Sequence, residues 1–426
     1  MELKINELLK IRTDIPLSSV TAFHMQWCVN DHARLKLYGD ILYEAAVEYQ
    51  KRNCSGNRIV VTYGKGQEEQ VLFHGLVKNS VVSFEGRYAQ MEIEGISATW
   101  KLDIAKRSRS FQDTDMTYAA LAKKVAEHTG TSVISLIGKS TKLQKPLIQY
   151  QETDWEFLRR IASHLHKSIL CDVITGKPAF WFGMRSGKRA VLPAEHSYYV
   201  NFDPLLKRPV YTVKSGKAYQ IGDKVMFMGE ELMILRRECV FHGELIFTYT
   251  LGRESVLDQA IRYNSAISGC GLLGKVTAIS GERLKVALEI DKNGACGEYW
   301  FPWRPETGNI MYAMPETGSP VLLTIPGNDE RCAIVSCCLH KNGAMVNREQ
   351  SLDKRRLRVR EGSVIKLYQD ELEFSRREGT QKLQLSDGSL LCKTNKGIKI
   401  EAEKKIYIKS DTARIKAPEG IDGFVG

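Results

Sequence analysis

Residues 383–417 read LQLSDGSLLCKTNKGIKIEAEKKIYIKSDTARIKA. Apolar and polar residues alternate here in short runs, and turn-forming Asp-Gly, Asn-Lys-Gly and Ser-Asp sequences separate the runs. The pattern predicts a series of strands that each have one apolar face. A segment of about 45 residues is too short to bury such faces by itself. We therefore expect identical chains to supply the missing walls, as in an intertwined trimeric β-helix.

The composition of the whole chain is that of a globular protein. Its 426 residues predict about three domains, and 43% hydrophobic with 26% charged residues exclude a disordered or collagen-like chain. No apolar run approaches the roughly 18 residues of a membrane-spanning helix, and the first residues lack a secretory signal. We expect a soluble protein made in the cytoplasm. Ten cysteines without a Cys-x-x-Cys pair indicate reduced thiols rather than a zinc site or a disulfide framework.

Short alternating runs between Gly, Asn and Asp turns predict strands along most of the chain, so the expected fold class is mainly β. Two helices are expected to interrupt the strands. The first covers about Thr117 to Thr129, and the second begins at the capping box Thr153–Glu156 and runs to about His166. The β-rich regions on either side of these helices predict tandem barrels.

A separate module is predicted from Gly271 onward. Its five strand-like runs suit a small barrel of the oligonucleotide/oligosaccharide-binding (OB) type. Such barrels often bind single strands through basic grooves and stacked aromatic rings, for which Trp300, Phe301 and Trp303 are candidates. The chain has a formal net charge of +11, but residues 268–342 carry seven Lys and Arg against eight Asp and Glu, a net −1. That charge argues against nucleic-acid binding, so we assign the three aromatic residues to the barrel core or a trimer interface.

Four stretches in a fixed order resemble motifs of a known family. They are Phe73-His-Gly-Leu-Val, Trp100-Lys-Leu through Arg109-Ser-Phe-Gln, Tyr150-Gln-Glu-Thr-Asp-Trp-Glu-Phe-Leu-Arg-Arg, and Phe301-Pro-Trp followed by Pro315-Glu-Thr-Gly-Ser-Pro-Val. Together they resemble the valine-glycine repeat protein G (VgrG) family, the hub-and-spike proteins of type VI secretion systems, and the related central spikes of contractile phage tails and tailocins. The resemblance covers nearly the whole chain.

The resemblance implies a tandem β-barrel hub with a small helical insert, an OB-like barrel and a C-terminal trimeric β-helix needle. The expected domains are a first hub β-barrel (1–112), a helical insert (113–170), a second hub β-barrel (171–267), an OB-fold-like collar (268–342), a connecting β segment (343–380) and a trimeric β-helix spike (381–426).

The implied function is that of a non-enzymatic hub and membrane-puncturing spike of a contractile injection apparatus. Three chains with two similar barrels each offer six near-equivalent positions, so a three-fold needle can sit on a six-fold tube. The implied partners are two further copies of the chain, the inner tube protein, baseplate proteins, a small tip-capping (PAAR-like) protein and, transiently, the target membrane, with no nucleic acid. The protein would assemble into a particle after cytoplasmic synthesis, and firing would deliver the spike outside the cell.

The expected functional residues serve assembly: they form the core of the needle or bind the tip protein. No catalytic residue, cofactor or metal ligand is expected. Alternation places the trimer needle core at Leu383, Leu385, Ile398, Ile400, Ile406, Ile408 and Ile415. Docking of the tip protein is expected at Gly420, Ile421, Phe424 and Val425.

Two other classes of function stay open on the sequence. The first is a tail-associated peptidoglycan hydrolase, with Glu152, Asp154 and Glu156 as candidate acid and base. At the start of a helix these carboxylates more simply favour the cap and the helix dipole. The second is an OB-type binder of single-stranded nucleic acid, with a basic patch at Lys354–Arg360. In that run Arg356, Arg358 and Arg360 share one strand face and Leu357 and Val359 the other, which is also typical of a solvated surface.

Overall fold

A computed structural model of the chain describes residues 2–51, 56–192, 197–203, 208–291, 297–305, 313–339, 355–358, 362–376, 379–414, 416 and 420. The chain divides into two compact units, Met1–Leu339 and His340–Gly426. Strands prevail in both units, which confirms the expected mainly β fold class.

The first part of the larger unit is an antiparallel array of strands with one short helix. This helix, α1, corrects the expectation of only two helices. It has seven residues, of which Ala46 and Tyr49 are buried, and this is too short a run to show a helical period in the sequence. The elements are β1 (Glu2–Lys4), β2 (Leu9–Thr13), β3 (Leu17–Cys28), β4 (Arg34–Ile41), α1 (Tyr43–Tyr49), β5 (Arg58–Tyr63), β6 (Gln70–Glu85) and β7 (Tyr88–Ser97).

The two expected helices follow, close to their expected bounds. Thr117 Oγ1 accepts a hydrogen bond from Ala120 N at the start of the first, and the second begins at the capping box of Thr153 and Glu156. Strands β8 and β10 form a two-stranded sheet, and β9, β11 and β12 form a three-stranded one. The elements are β8 (Arg107–Phe111), α2 (Tyr118–Glu127), β9 (Ser132–Leu136), β10 (Leu147–Glu152), α3 (Asp154–Ser163), β11 (Ile169–Cys171) and β12 (Ala179–Phe182).

The next strands hydrogen-bond to the first set, so that strands from both sides of the helices make one 13-stranded sheet. The connection is the antiparallel pair of β3 and β17, from Phe23 opposite Phe241 to Cys28 opposite Arg236. The elements are β13 (Arg189–Val191), β14 (Tyr198–Asp203), β15 (Arg208–Ser215), β16 (Lys224–Phe227), β17 (Glu230–His242) and β18 (Glu244–Gly252). The boundaries expected between the two hub barrels and the helical insert stay predictions.

A five-stranded antiparallel sheet completes the larger unit, in the order β21-β20-β19-β22-β23. Phe301 is fully buried in its core, and Trp303 is partly buried against that core. Strands therefore form where the alternating runs predicted them. The elements are β19 (Gly271–Ser280), β20 (Arg283–Leu288), β21 (Trp300–Pro302), β22 (Pro320–Thr324) and β23 (Ile334–Cys338).

The smaller unit contains a five-stranded meander in which each strand pairs antiparallel with the next. The runs at 398–402 and 406–408 were expected to be strands, but residues 394–414 contain none. A strand requires a neighbour that completes its backbone hydrogen bonds, and no ladder to this segment exists in the described part of the single chain. The elements are β24 (Arg355–Arg358), β25 (Val364–Leu367), β26 (Glu371–Arg376), β27 (Gln381–Ser386) and β28 (Ser389–Lys393).

Candidate functional site

One face of the meander β24–β28 carries apolar side chains in two rows that cross the strands. The register aligns Leu357, Ile365, Phe374, Leu383 and Cys392 in the first row and Leu367, Leu372, Leu385 and Leu390 in the second. Members of the two rows are two residues apart along each strand, so they project from the same side of the sheet. We call these nine residues the apolar face.

The opposite face of the meander is mostly polar, with Val364 and Leu391 as apolar exceptions, and its central charged side chains pair with each other. Lys366 Nζ lies 2.9 Å and Lys382 Nζ 3.9 Å from the carboxylate of Glu373, whose side chain is only 8% exposed. In contrast, six large members of the apolar face are exposed to solvent: Leu357, Leu367, Phe374, Leu383, Leu385 and Leu390. Soluble proteins rarely leave a contiguous apolar surface uncovered unless something binds there. The apolar face is therefore the candidate interaction surface.

The residues predicted for the needle core fall in two groups. Leu383 and Leu385 are on the apolar face, as their alternation predicted. The isoleucines at 398, 400, 406 and 408 lie beyond the last strand, and the side chains of all six residues are exposed, from 38% for Leu383 to 84% for Ile408. Ile415 lies outside the described residues. Among the predicted tip-docking residues, Gly420 is exposed, with a φ of +112°, and Ile421, Phe424 and Val425 also lie outside the described residues.

A buried ionic cluster connects helix α3 with the five-stranded sheet β19–β23. Arg160 Nε and Nη2 each donate to a carboxylate oxygen of Glu152 at 2.8 Å, and Nη1 donates to Glu330 Oε1 at 2.6 Å. Burial by itself lowers the pKa of Arg160, but the charges of Glu330 and Glu152 outweigh burial and hold that pKa above its ordinary value. The guanidinium therefore stays charged and ties two carboxylates from different elements together.

Further contacts connect the two-stranded sheet β8–β10 with the five-stranded sheet β19–β23. The side chain of Asp291 accepts hydrogen bonds from the backbone N and the hydroxyl of Ser110, both at 2.6 Å. The amide of Gln112 donates to Val286 O at 3.1 Å, and Ile148 of β10 is buried within the core of the five-stranded sheet. Hydrogen bonds from β8 and Gln112, together with the buried Ile148 of β10, therefore attach the β19–β23 module to the rest of the larger unit.

The three carboxylates weighed as catalytic candidates all have structural partners. Glu152 binds Arg160 with both oxygens, and Glu156 Oε2 accepts from Thr153 N at 2.8 Å in the capping box. Asp154 is buried and contacts Arg109 at 2.7 Å and His128 at 3.1 Å. Glu156 therefore caps α3, as the helix-start interpretation predicted, while Glu152 and Asp154 bind neighbouring basic side chains.

Two searches of the described residues bear on other kinds of site. No three His, Cys, Asp or Glu side chains lie close enough together to hold a metal ion within that part of the chain. No helix among the described residues has the length and apolar character needed to cross a membrane.

Sequence reasoning missed two functional features. Glu330 is 170 residues from Arg160, and no local pattern marks it as the second acid of the cluster. The contribution of β25 and β26 to the apolar face was readable, because Val364-Ile-Lys-Leu and Glu371-Leu-Glu-Phe alternate in the same way as the later strands.

Comparison with known protein families gives one partial match. Residues 44–177 match the family described as the Alg8 N-terminal domain. The matched stretch covers under half of the chain, begins inside α1 and ends before β12, so it omits β1–β4 and is not a structural unit here. No curated protein sequence matches the chain.

Comparison with solved structures gives matches along most of the chain. The E. coli c3393 protein aligns at 14% identity over 78% of this chain and 99% of its own, with a TM-score of 0.54. It is described as a component of the type VI secretion system with structural similarity to the T4 bacteriophage tail proteins gp27 and gp5. A structure of a PdpA-VgrG complex aligns at 11% identity over 88% of this chain and 93% of that chain, with a TM-score of 0.58.

A second structure of that complex, from Francisella, aligns at 10% identity over 88% of this chain and 76% of that chain, also with a TM-score of 0.58. At such identities the likeness concerns the fold. The chain therefore shares the fold of the c3393 protein and of a chain of the PdpA-VgrG complex, and the resemblance seen in the sequence is confirmed at the level of the fold.

Proposed function

We propose that the chain is the structural hub and membrane-puncturing spike of a contractile injection apparatus, acting as a homotrimer and without catalysis. The observation that carries this proposal is the apolar face of β24–β28, which a single chain leaves uncovered although its polar face is packed. The shared fold with a described component of the type VI secretion system supports the same assignment.

Association of three chains accounts for both parts of the exposed C-terminal region. The apolar faces of three meanders can cover one another, and the isoleucine runs beyond β28 gain strand partners when they wind around their copies. A column locked by main-chain hydrogen bonds with apolar residues inside resists bending and compression. The needle would therefore transmit the force of a contracting sheath.

The larger unit would adapt the needle to the tube. Strand sets from both sides of the helical insert share one sheet, and three copies of two such sets would present six positions to a six-fold inner tube. The collar β19–β23, fastened through Arg160 and Glu330, would carry the load between tube and needle. Baseplate proteins and a small PAAR-like protein at the tip complete the proposed set of partners.

The proposal places the protein first in the cytoplasm and then in an assembled particle, whose firing carries the spike across the target membrane. Two structures of a PdpA-VgrG complex describe a VgrG protein bound to a partner. By analogy we propose that this chain also works inside a larger assembly.

The test of the proposal is the mass of the full chain in solution, measured by light scattering after gel filtration. We expect three times the 48.2 kDa of one chain. Ile408→Asp should reduce that mass to one chain, because three carboxylates would be buried near the axis without partners. Lys409→Asp is the matched control on the outward side and should remain trimeric. A stable monomer at micromolar concentration, or equal behaviour of the two variants, would contradict the proposal.

A further inference from the structure

A pocket of about 510 Å³ lies between helix α3 and the segment that leads from β18 to β19. It is distinct from the apolar face and lies entirely in the larger unit. Four basic residues line it, Lys106, Arg159, Arg160 and Arg262, together with two acidic residues, Glu152 and Glu156.

Both carboxylates of the pocket already have partners. Glu152 uses its two oxygens to bind Arg160, which is also held by Glu330. Glu156 accepts the backbone N–H of Thr153 in the capping box. Neither carboxylate forms an ion pair with Arg159 or Arg262.

The remaining two guanidiniums lie outside these pairs, although the positive charge of Arg159 acts at longer range on the carboxylate of Asp103. Within the part of the chain that the structure describes, neither Arg159 nor Arg262 forms an ion pair. Arg159 Nε is buried without a hydrogen-bond partner, and Arg262 Nη2 reaches only Gln259 Oε1, at 3.4 Å. Burial, and then the positive charge of Arg159, lowers the pKa of Arg262. The two like charges are therefore near enough to repel each other.

We propose that this pocket binds an oxyanion, held by the guanidiniums of Arg159 and Arg262 with Lys106 adding positive charge. A guanidinium presents a planar set of N–H donors that matches two oxygens of a phosphate or carboxylate. An anion here accepts hydrogen bonds from the guanidinium N–H groups that line the pocket and screens the two like charges from each other. The ligand is a phosphate or carboxylate group, either as a free ion or as the acidic side chain of a protein docked on this face.

Neutral donors on the pocket wall favour the same ligand class. The side-chain amide of Gln151 and the hydroxyls of Tyr263 and Ser265 also line the pocket. Each can donate one further hydrogen bond to an oxygen without changing the charge. A cation has no comparable partner here, because both carboxylates are already occupied.

The test is calorimetric titration of the full chain at constant ionic strength with two probes, inorganic phosphate and glutarate. We expect binding to the wild type, and binding about tenfold weaker or more in Arg159→Gln and in Arg262→Gln, since each loses charge-assisted hydrogen bonds. Arg87→Gln removes an exposed arginine at the β6–β7 turn and should bind as the wild type does. Circular dichroism and the melting temperature without ligand verify that each variant is folded.

The two probes separate the two sources of the anion. Binding of phosphate alone supports a free ion, and binding of glutarate as well supports an acidic side chain of a partner. If a glutamine variant does not fold, Arg159→Lys keeps the charge but loses the planar donor set, and should still bind more weakly. Absence of binding of both probes to the wild type, or equal affinity of the pocket variants and Arg87→Gln, would overturn the proposal.

Discussion

Nη1 of Arg160 lies 2.6 Å from Oε1 of Glu330, and the side chains of the two residues are only 3% and 1% exposed. The pair connects helix α3 with the β19–β23 module across the interior of the larger unit. A buried pair that also contacts a second carboxylate and a backbone carbonyl fixes the orientation of both elements. The pair therefore holds α3 and the module in a fixed relation within the larger unit.

Removal of one partner should destabilise this junction strongly. Glu330→Ala leaves Arg160 buried with one carboxylate fewer, and we expect the free energy of unfolding to fall by about 3 kcal/mol. Urea denaturation followed by circular dichroism measures the change. The matched control is Lys167→Ala, which breaks the exposed pair with Asp258 and should cost under about 1 kcal/mol. Equal costs for the two variants would contradict a structural role for the buried pair.

His164 should make stability depend on pH. Burial, and then the positive charge of Arg160, lowers the pKa of His164 from 6.5 to about 4. The unfolded chain therefore binds more protons than the folded chain between these values, so the stability that neutral His164 contributes is full above about pH 6.5 and is lost as the pH falls toward 4.

The measurement is urea denaturation at pH 7.5 and pH 5 for the wild type and for His164→Asn. Between these conditions the wild type should lose about 2 kcal/mol more than the variant. All other titrating groups are the same in both proteins. The difference between the two losses of stability therefore reports the titration of His164 alone. A wild type and a variant that lose the same amount would show that His164 does not titrate as stated.

Gly75, in the Phe73-His-Gly motif, should not tolerate a side chain. A Cβ at this position would lie 2.4 Å from Ile96 O and 2.5 Å from the ring of Phe73. Because the neighbouring strand and the buried ring cannot both move, we expect Gly75→Ala to cost roughly 1–3 kcal/mol in unfolding free energy. Gly216→Ala is the control, since nothing lies within 4 Å of its Cβ, and it should be neutral or slightly stabilising. A neutral Gly75→Ala would contradict the close packing of β6 on β7.

The apolar face can be tested with two adjacent leucines. Leu390 is 64% exposed on the apolar face, and Leu391 is 41% exposed on the opposite face. A single chain should accept glutamate at either position. If the apolar face is the contact between copies, Leu390→Glu should reduce the solution mass to that of one chain, because the new charge would be buried without a partner.

Leu391→Glu should keep the mass of the wild type in the same measurement. Loss of assembly in Leu391→Glu alone would show that the copies contact each other through the opposite face, which would contradict the prediction. Unchanged mass in both variants would show that the meander does not contribute to the contact between copies.

Local features of the fold could be predicted from the sequence, because the interactions that produce them join residues close together in the chain. The capping box needs only Thr153 and Glu156, three residues apart, and both of its hydrogen bonds are present. The alternation of Leu383 and Leu385 places both on one face whatever the strand pairs with. The buried position of Phe301 agrees with one of the two places, barrel core or trimer interface, to which the net charge of its module assigned the three aromatic residues.

Long-range relationships needed the three-dimensional structure, because no short pattern encodes which distant element a side chain meets. Helix α1 forms from seven residues that carry too little periodicity to be recognised. The pairing of β3 with β17 joins strands about two hundred residues apart into one sheet. That Arg159 and Arg262 line one pocket without an ion pair became visible only when the two lining carboxylates, Glu152 and Glu156, were assigned their partners.

The amino-acid order alone sets which residues of the last strands are apolar and that they share a side, since the two-residue period of a strand is a property of the backbone. It also sets the start of α3 through the capping box of Thr153 and Glu156. Tertiary packing decided that Glu330 meets Arg160 and that the polar side of the meander, rather than the apolar one, is satisfied within a single chain. These outcomes depend on the distances between segments far apart in sequence, which only chain folding determines.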